Sequence, residues 1–221
     1  MTLRTFASGA ADAIARMGRM IASDDGVVAV ETAVLLPVFL LITIGFSEMY
    51  MYIRAVSIVE RTAFTVADTL GQKSNVIDTN SASSADNLGA YWNAASLIAK
   101  PLAIGDFGEV VITSICDKTS NCPNPTGTAG STGTPSAMWQ RYSPVNGTNP
   151  SALSSRLPAS LVPANWPFRK GDSALAVEVF YSFNPFSMSS AIWAGAPGAV
   201  TIYEVVYVRP RWDLPVTLSA S

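Results

Sequence analysis

Histidine is absent from the 221 residues. That excludes Ser-His-Asp and Cys-His nucleophile systems, His-ligated zinc or haem, and imidazole proton shuttles. Cysteine is nearly absent as well, with only Cys116 and Cys122, so a four-cysteine zinc site or an iron–sulfur cluster held by one chain is excluded. Charge is scarce. Asp, Glu, Lys and Arg make up 14% of the chain, against roughly 25% in a typical soluble domain. The net charge of −2 gives no electrostatic pull toward nucleic acid. None of the lysines (Lys73, Lys100, Lys118, Lys170) completes a Ser-x-x-Lys pair. The remaining chemistry would need paired carboxylates, Asp106 with Glu109 or Glu178 with Glu204. The plainer reading has Glu178 and Glu204 in mid-strand, meeting an arginine such as Arg209 or Arg141 or facing water. No enzymatic activity, cofactor or metal is expected.

What the sequence does have is hydrophobic, 49% of it, and much of that is concentrated. From Val27 to Ser47 the chain reads VVAVETAVLLPVFLLITIGFS, with Glu31 as its one charge. As a helix this run is about 31 Å long, matching the roughly 30 Å hydrocarbon layer of a bilayer. Glu48, Met49, Tyr50, Met51 and Tyr52 continue it into a flank suited to a headgroup interface. Pro37 lies inside the run and is expected to kink it; membrane helices tolerate such a proline when neighbours re-satisfy the freed carbonyl. A membrane-spanning helix over 27–53 is the reading. Its alternative, a cleaved secretory signal with an apolar stretch at Thr32–Phe46, fits less well, because the stretch is long and the helical pattern continues beyond it.

Arg4, Arg16 and Arg19 precede the span, while Arg54 and Arg61 follow it. The positive-inside rule then leaves residues 1–26 as a cytoplasmic leader and the bulk of the chain outside the inner membrane. Cysteine usage agrees with an oxidising compartment: Cys116 and Cys122 enclose a short polar loop and are expected to form a disulfide.

Glu31 is costly so near the apolar mouth, by about 1–3 kcal/mol depending on depth. It lies five residues after Gly26, which follows the acidic pair Asp24-Asp25. This polar leader, glycine, and apolar helix with glutamate at its fifth residue resemble a prepilin peptidase site, with cleavage between Gly26 and Val27. The longer run DDGVVAVETAVLLPVFLLITIGFSEMYM resembles the N-terminus of the TadE/TadG-like family, minor pilin-like (pseudopilin) components of tight-adherence (Tad/Flp) pilus systems. Ala29-Val30-Glu31 and Leu36-Pro37 carry the likeness, and Thr32 replaces the more usual aromatic. Looser signposts follow at Trp139-Gln140-Arg141, at Glu178-Val179-Phe180-Tyr181 with Asn184-Pro185, and at Val208-Arg209-Pro210-Arg211. The resemblance implies a structural subunit for pilus assembly whose partners are other pilin-like subunits, platform proteins, a prepilin peptidase and membrane lipid. It also implies an assembly role for Glu31, which would neutralise the new Val27 amine of a neighbouring subunit.

The rest reads as an α+β domain over 72–221. Helical spacing persists through 54–71, with Val56, Val59, Ala63, Val66, Ala67 and Leu70 on one side and Gly71 as a stop. A helix from Val27 to Leu70 would be about 66 Å long, a pilin-like stalk. A second helix is expected at Ser84–Ile98, and strands at Glu109–Ile115, Ser173–Phe183 and Val200–Val208 in an antiparallel sheet packed on helices. The last two are expected to pair despite the long connection at 184–199. The Pro-, Gly-, Ser- and Thr-rich stretch at about 123–160 is expected to be a surface insertion with a turn of helix near Met138–Tyr142. Five tryptophans at scattered spacing favour packing over a sugar platform, and Asn146-Gly147-Thr148 is a short glycosylation pattern of the kind chance supplies. Two functional classes remain: the pilus subunit, or an unprocessed membrane-tethered binding domain such as an adhesin or sensor.

Overall fold

In a computed structural model, the described residues are 24–118, 132–144, 154–191, 194–212 and 214–220. The leader up to residue 23, Cys122 and Asn146-Gly147-Thr148 lie outside them. The element order is α1 (Asp24–Gly71), β1 (Asn75–Asp78), α2 (Leu88–Ile98), α3 (Ile104–Phe107), β2 (Gly108–Asp117), β3 (Pro135–Tyr142), β4 (Ser173–Phe183), a 3-10 turn (Ser189–Ala191), β5 (Val200–Val208) and β6 (Thr217–Ala220). The chain divides into two units, Met1–Tyr50 with Ser187–Ala196, and Met51–Phe186 with Pro197–Ser221.

The second unit has the expected α+β class. Its sheet is four-stranded and antiparallel, in the order β3-β2-β4-β5. Alternation along β4 decides its two faces. Leu175, Val177 and Val179 join Val110 and Ile112 of β2 in a core with Ala55, Ile58, Val59, Ala63, Val66, Ala67 and Leu70 of α1. The three-and-four spacing of those α1 residues is what wraps one stripe of the helix onto the sheet. Helix α2 adds Leu88, Tyr91, Trp92 and Ala95, and the next turn is completed by Ala99, leaving Leu97 exposed. Gly89 opens that helix against the chain at Asn80, where any Cβ would overlap the Asn80 carbonyl. On the opposite face Ile115, Ala174 and Ala176 are covered by Val162 and Phe168, with Leu157, Leu161 and Trp166 packed around them.

The chain departs from the sequence expectations at 138–142. This stretch is strand, not a turn of helix: β3 pairs with β2 from Val111↔Tyr142 to Asp117↔Pro135. A bulge explains the misreading. Ser114 faces Trp139 and Ile115 faces Ala137, so Met138 is the extra residue, and both Met138 and Trp139 pack on the same core. Two consecutive inward side chains erase the two-residue period that marks a strand. The small parallel pair β1–β6, from Asn75↔Thr217 to Asp78↔Ala220, was not anticipated either. The long connection at 184–199 does join directly paired strands, with Phe183 opposite Val200.

The runs that stand out in sequence are ties between elements. Trp139 Nε1 donates to the Val216 carbonyl at 2.7 Å, Gln140 Nε2 to Thr113 Oγ1 at 2.8 Å, and Arg141 grips both carboxylate oxygens of Asp78. The Arg141 guanidinium holds the Asp78 carboxyl below its ordinary range. Arg209 pairs with Asp172 at 3.1 Å and Arg211 with Asp68 at 3.3 Å.

Candidate functional site

The apolar half of α1 belongs to the first unit. It is one continuous helix through Pro37, long and apolar enough to cross a membrane, and its most apolar window is entirely unburied. Val28, Leu35, Leu36, Phe39, Leu41 and Phe46 each leave more than half of their surface exposed. A core helix hides such a surface, so this helix is built for a medium other than water. Two of its hydroxyls are satisfied internally. Thr43 Oγ1 donates to the Phe39 carbonyl and Ser47 Oγ to the Thr43 carbonyl, both at 2.8 Å, which removes two unpaired donors from the apolar surface. Pro37 has no N–H to offer the Ala33 carbonyl, so the ladder has one open acceptor in mid-run.

Carboxylates stand at both ends of the charge-free stretch Thr32–Ser47. Glu31 is exposed, one turn along the helix from Val27 and on the same face. Glu48 is different. It is buried at 4% exposure, and its Oε1 accepts the backbone N–H groups of Met188 at 3.0 Å and Ser189 at 2.8 Å. Sequence reasoning treated Glu48 as flank. Its signal was there, a second acid at the far end of the run, but its partner lies 140 residues away.

The second unit holds the other cluster. Glu178, fully buried on β4, receives hydrogen bonds from the Ser155 hydroxyl, from the Arg156 backbone N–H at 2.7 Å and from the Tyr203 hydroxyl at 3.1 Å. Neither Arg209 nor Arg141 meets it, contrary to the sequence expectation, because both are engaged by aspartates. Burial, and then the adjoining Glu178 carboxylate, push the Tyr203 hydroxyl far up, so it remains a donor. Arg156 lies 5.5 Å over the rings of Phe180 and Tyr203. The Ser155 and Arg156 contacts fasten the segment around 155–157 to the sheet, and the Tyr203 contact ties β5 to β4.

The imagined carboxylate pair Glu178/Glu204 does not form. Val179 is the register partner of Glu204, and Glu178 that of Val205, which puts the two acids on opposite faces of the sheet. Glu204 is instead near Glu60, and burial followed by that like charge raises its carboxyl above the ordinary range. Asp106 is exposed on α3, and Glu109 is buried at the start of β2. Among the described residues there is no group of three or more potential metal ligands. Cys116 ends up near the close of β2, with Cys122 outside the described residues.

No curated protein and no solved structure matches the chain. Residues 26–68 match the family model described as TadE-like protein. The match opens at Gly26, spans Val27, Glu31, Pro37 and Glu48, and ends within α1. The later signposts at 139–141, 178–185 and 208–211 fall outside it. TadE-like proteins are structural pilus components, and an apolar N-terminal helix of this kind fits a Tad pilus-associated, pilin-like protein anchored by a single pass. Over residues 26–68, then, the chain is similar to TadE-like proteins.

Proposed function

We propose that the protein is a structural, minor pilin-like subunit in the assembly of a Tad/Flp-type pilus. It is inserted by α1 with residues 1–26 in the cytoplasm, and a prepilin peptidase cleaves it after Gly26. Residues 27–53 form the span, 54–71 its helical extension, and 72–221 the domain outside the inner membrane. The observation that carries this reading is the juxtaposition within the TadE-like match of Gly26, Glu31 and an exposed apolar stretch of helix. Its partners are other pilin-like subunits and the assembly platform.

Cleavage calls for local opening of α1, since Gly26 lies within its first turn. Glycine is the residue at which opening is easiest, being about 1 kcal/mol poorer than alanine in a helix, and it leaves room for a peptidase to approach the backbone. Gly26→Leu is therefore expected to abolish processing, whereas Gly26→Ala retains part of it. Immunoblotting of cells that carry the peptidase reads the shift. The same shortened product from Gly26→Leu would show that this bond is not the one cut.

An external domain also gives the Cys116–Cys122 disulfide its compartment. The loop is short, so the bond contributes about 2 kcal/mol and shapes the end of β2 more than it holds the domain. Thiol labelling of denatured, unreduced protein is expected to find no reactive cysteine. Two labelled thiols would rule the bond out.

A further inference from the structure

Glu48 and the turn that covers it have no part in the assembly role just described. With Glu31 at one boundary of a bilayer, Glu48 is about 26 Å further along the helix, close to the other boundary. A carboxylate at that depth requires donors, and α1 cannot supply them, since its own N–H groups are used within the helix. The donors come from the β4–β5 connection: the N–H groups of Met188 and Ser189 both point at one Glu48 oxygen. The connection at 184–199 contains no charged residue. Met188 is 42% exposed beside that contact, and Phe46, Met49 and Tyr50 of the same helix region are exposed as well. The turn is uncharged but not apolar: Ser187, Ser189 and Ser190 flank the exposed Met188. An uncharged turn, strapped by its backbone to the end of a span and presenting a thioether, suits the headgroup layer.

We propose that the Met188–Ser189 turn is a second membrane contact, docked in the lipid headgroup layer and held there by Glu48. The occupant of this surface is lipid, because the turn is joined to the span itself and adds apolar surface at the depth where the span ends. The inference rests on α1 crossing the bilayer.

Both can be tested in one experiment. A photoreactive benzoylphenylalanine replaces Met188 or, separately, Leu41 in the full chain, in phosphatidylethanolamine–phosphatidylglycerol vesicles and in cells. Lipid adducts at both positions are expected. In the Met188 protein, Glu48→Ala is expected to lower the adduct at least fivefold while leaving the Leu41 adduct unchanged, and Glu48→Gln, which keeps an acceptor oxygen, is expected to preserve it. A lipid adduct at Leu41 with none at Met188, or a protein adduct there in its place, overturns the docking and leaves the span standing. An unchanged Met188 adduct in Glu48→Ala overturns the strap. No lipid adduct at Leu41 overturns the span itself, and the docking with it.

Discussion

Glu31→Gln is expected to yield a chain that inserts and is processed normally yet fails to assemble. Insertion improves or stays the same, because a charge at the apolar mouth is removed while the side-chain shape is kept. Processing persists, since the peptidase acts on the polar side of Gly26. Assembly suffers. The amine exposed at Val27 would be cationic and, at a contact between apolar helices, would lose the carboxylate that neutralises it. Removing one member of a buried pair costs about 3–5 kcal/mol, which is roughly a 100-fold to 4,000-fold loss in a subunit contact. Co-purification of the processed variant with other pilus components, together with surface piliation, reads this. Normal recovery and piliation would reduce Glu31 to an ordinary flank residue.

Glu178→Ala is expected to have the largest effect on the folded domain. It strands the Ser155 hydroxyl, the Arg156 N–H and the Tyr203 hydroxyl in the cover of one sheet face, and it opens a cavity beside Phe180. An unpaired buried donor costs about 1–3 kcal/mol; because Ser155 and Tyr203 are half-buried and Arg156 is exposed, the three stranded donors and the cavity together come to roughly 3 kcal/mol. For a domain of this size that lowers the melting midpoint by about 10 °C. Glu178→Gln retains an acceptor oxygen and is expected to lose less than half as much. Near-UV circular dichroism of the detergent-solubilised chain follows the tryptophans through the transition. A shift below about 2 °C in Glu178→Ala would mean that the network does not hold the cover.

Legibility followed locality. The stripe on α1 and the alternation of β4 are consequences of helical and strand periods acting on neighbouring residues, and so Val59, Ala63, Val66 and Leu70, or Leu175, Val177 and Val179, can be assigned from spacing alone. The Gly26–Glu31 spacing was visible for the same reason. Features made between distant segments left no such trace. Strand β1 finds β6 across the whole domain, and Glu48 finds Met188 and Ser189 through a loop whose composition announces nothing about its partner. The β3 bulge hid a strand by breaking its period at Met138 and Trp139. Glu178 shows the limit most clearly. Its place on the β4 face opposite Val177 was readable, but its donors come from Ser155 and Arg156, in a stretch that reads as loop, and from Tyr203 one strand over.

The central claim is that this chain is a processed pilin-like subunit, and intact mass measurement of the protein from its native membrane tests it most directly. The account predicts a mature chain that begins at Val27. An intact Met1, which a permanently tethered binding domain would retain, or a new terminus beyond Ser47, as signal-peptide cleavage would leave, would contradict it.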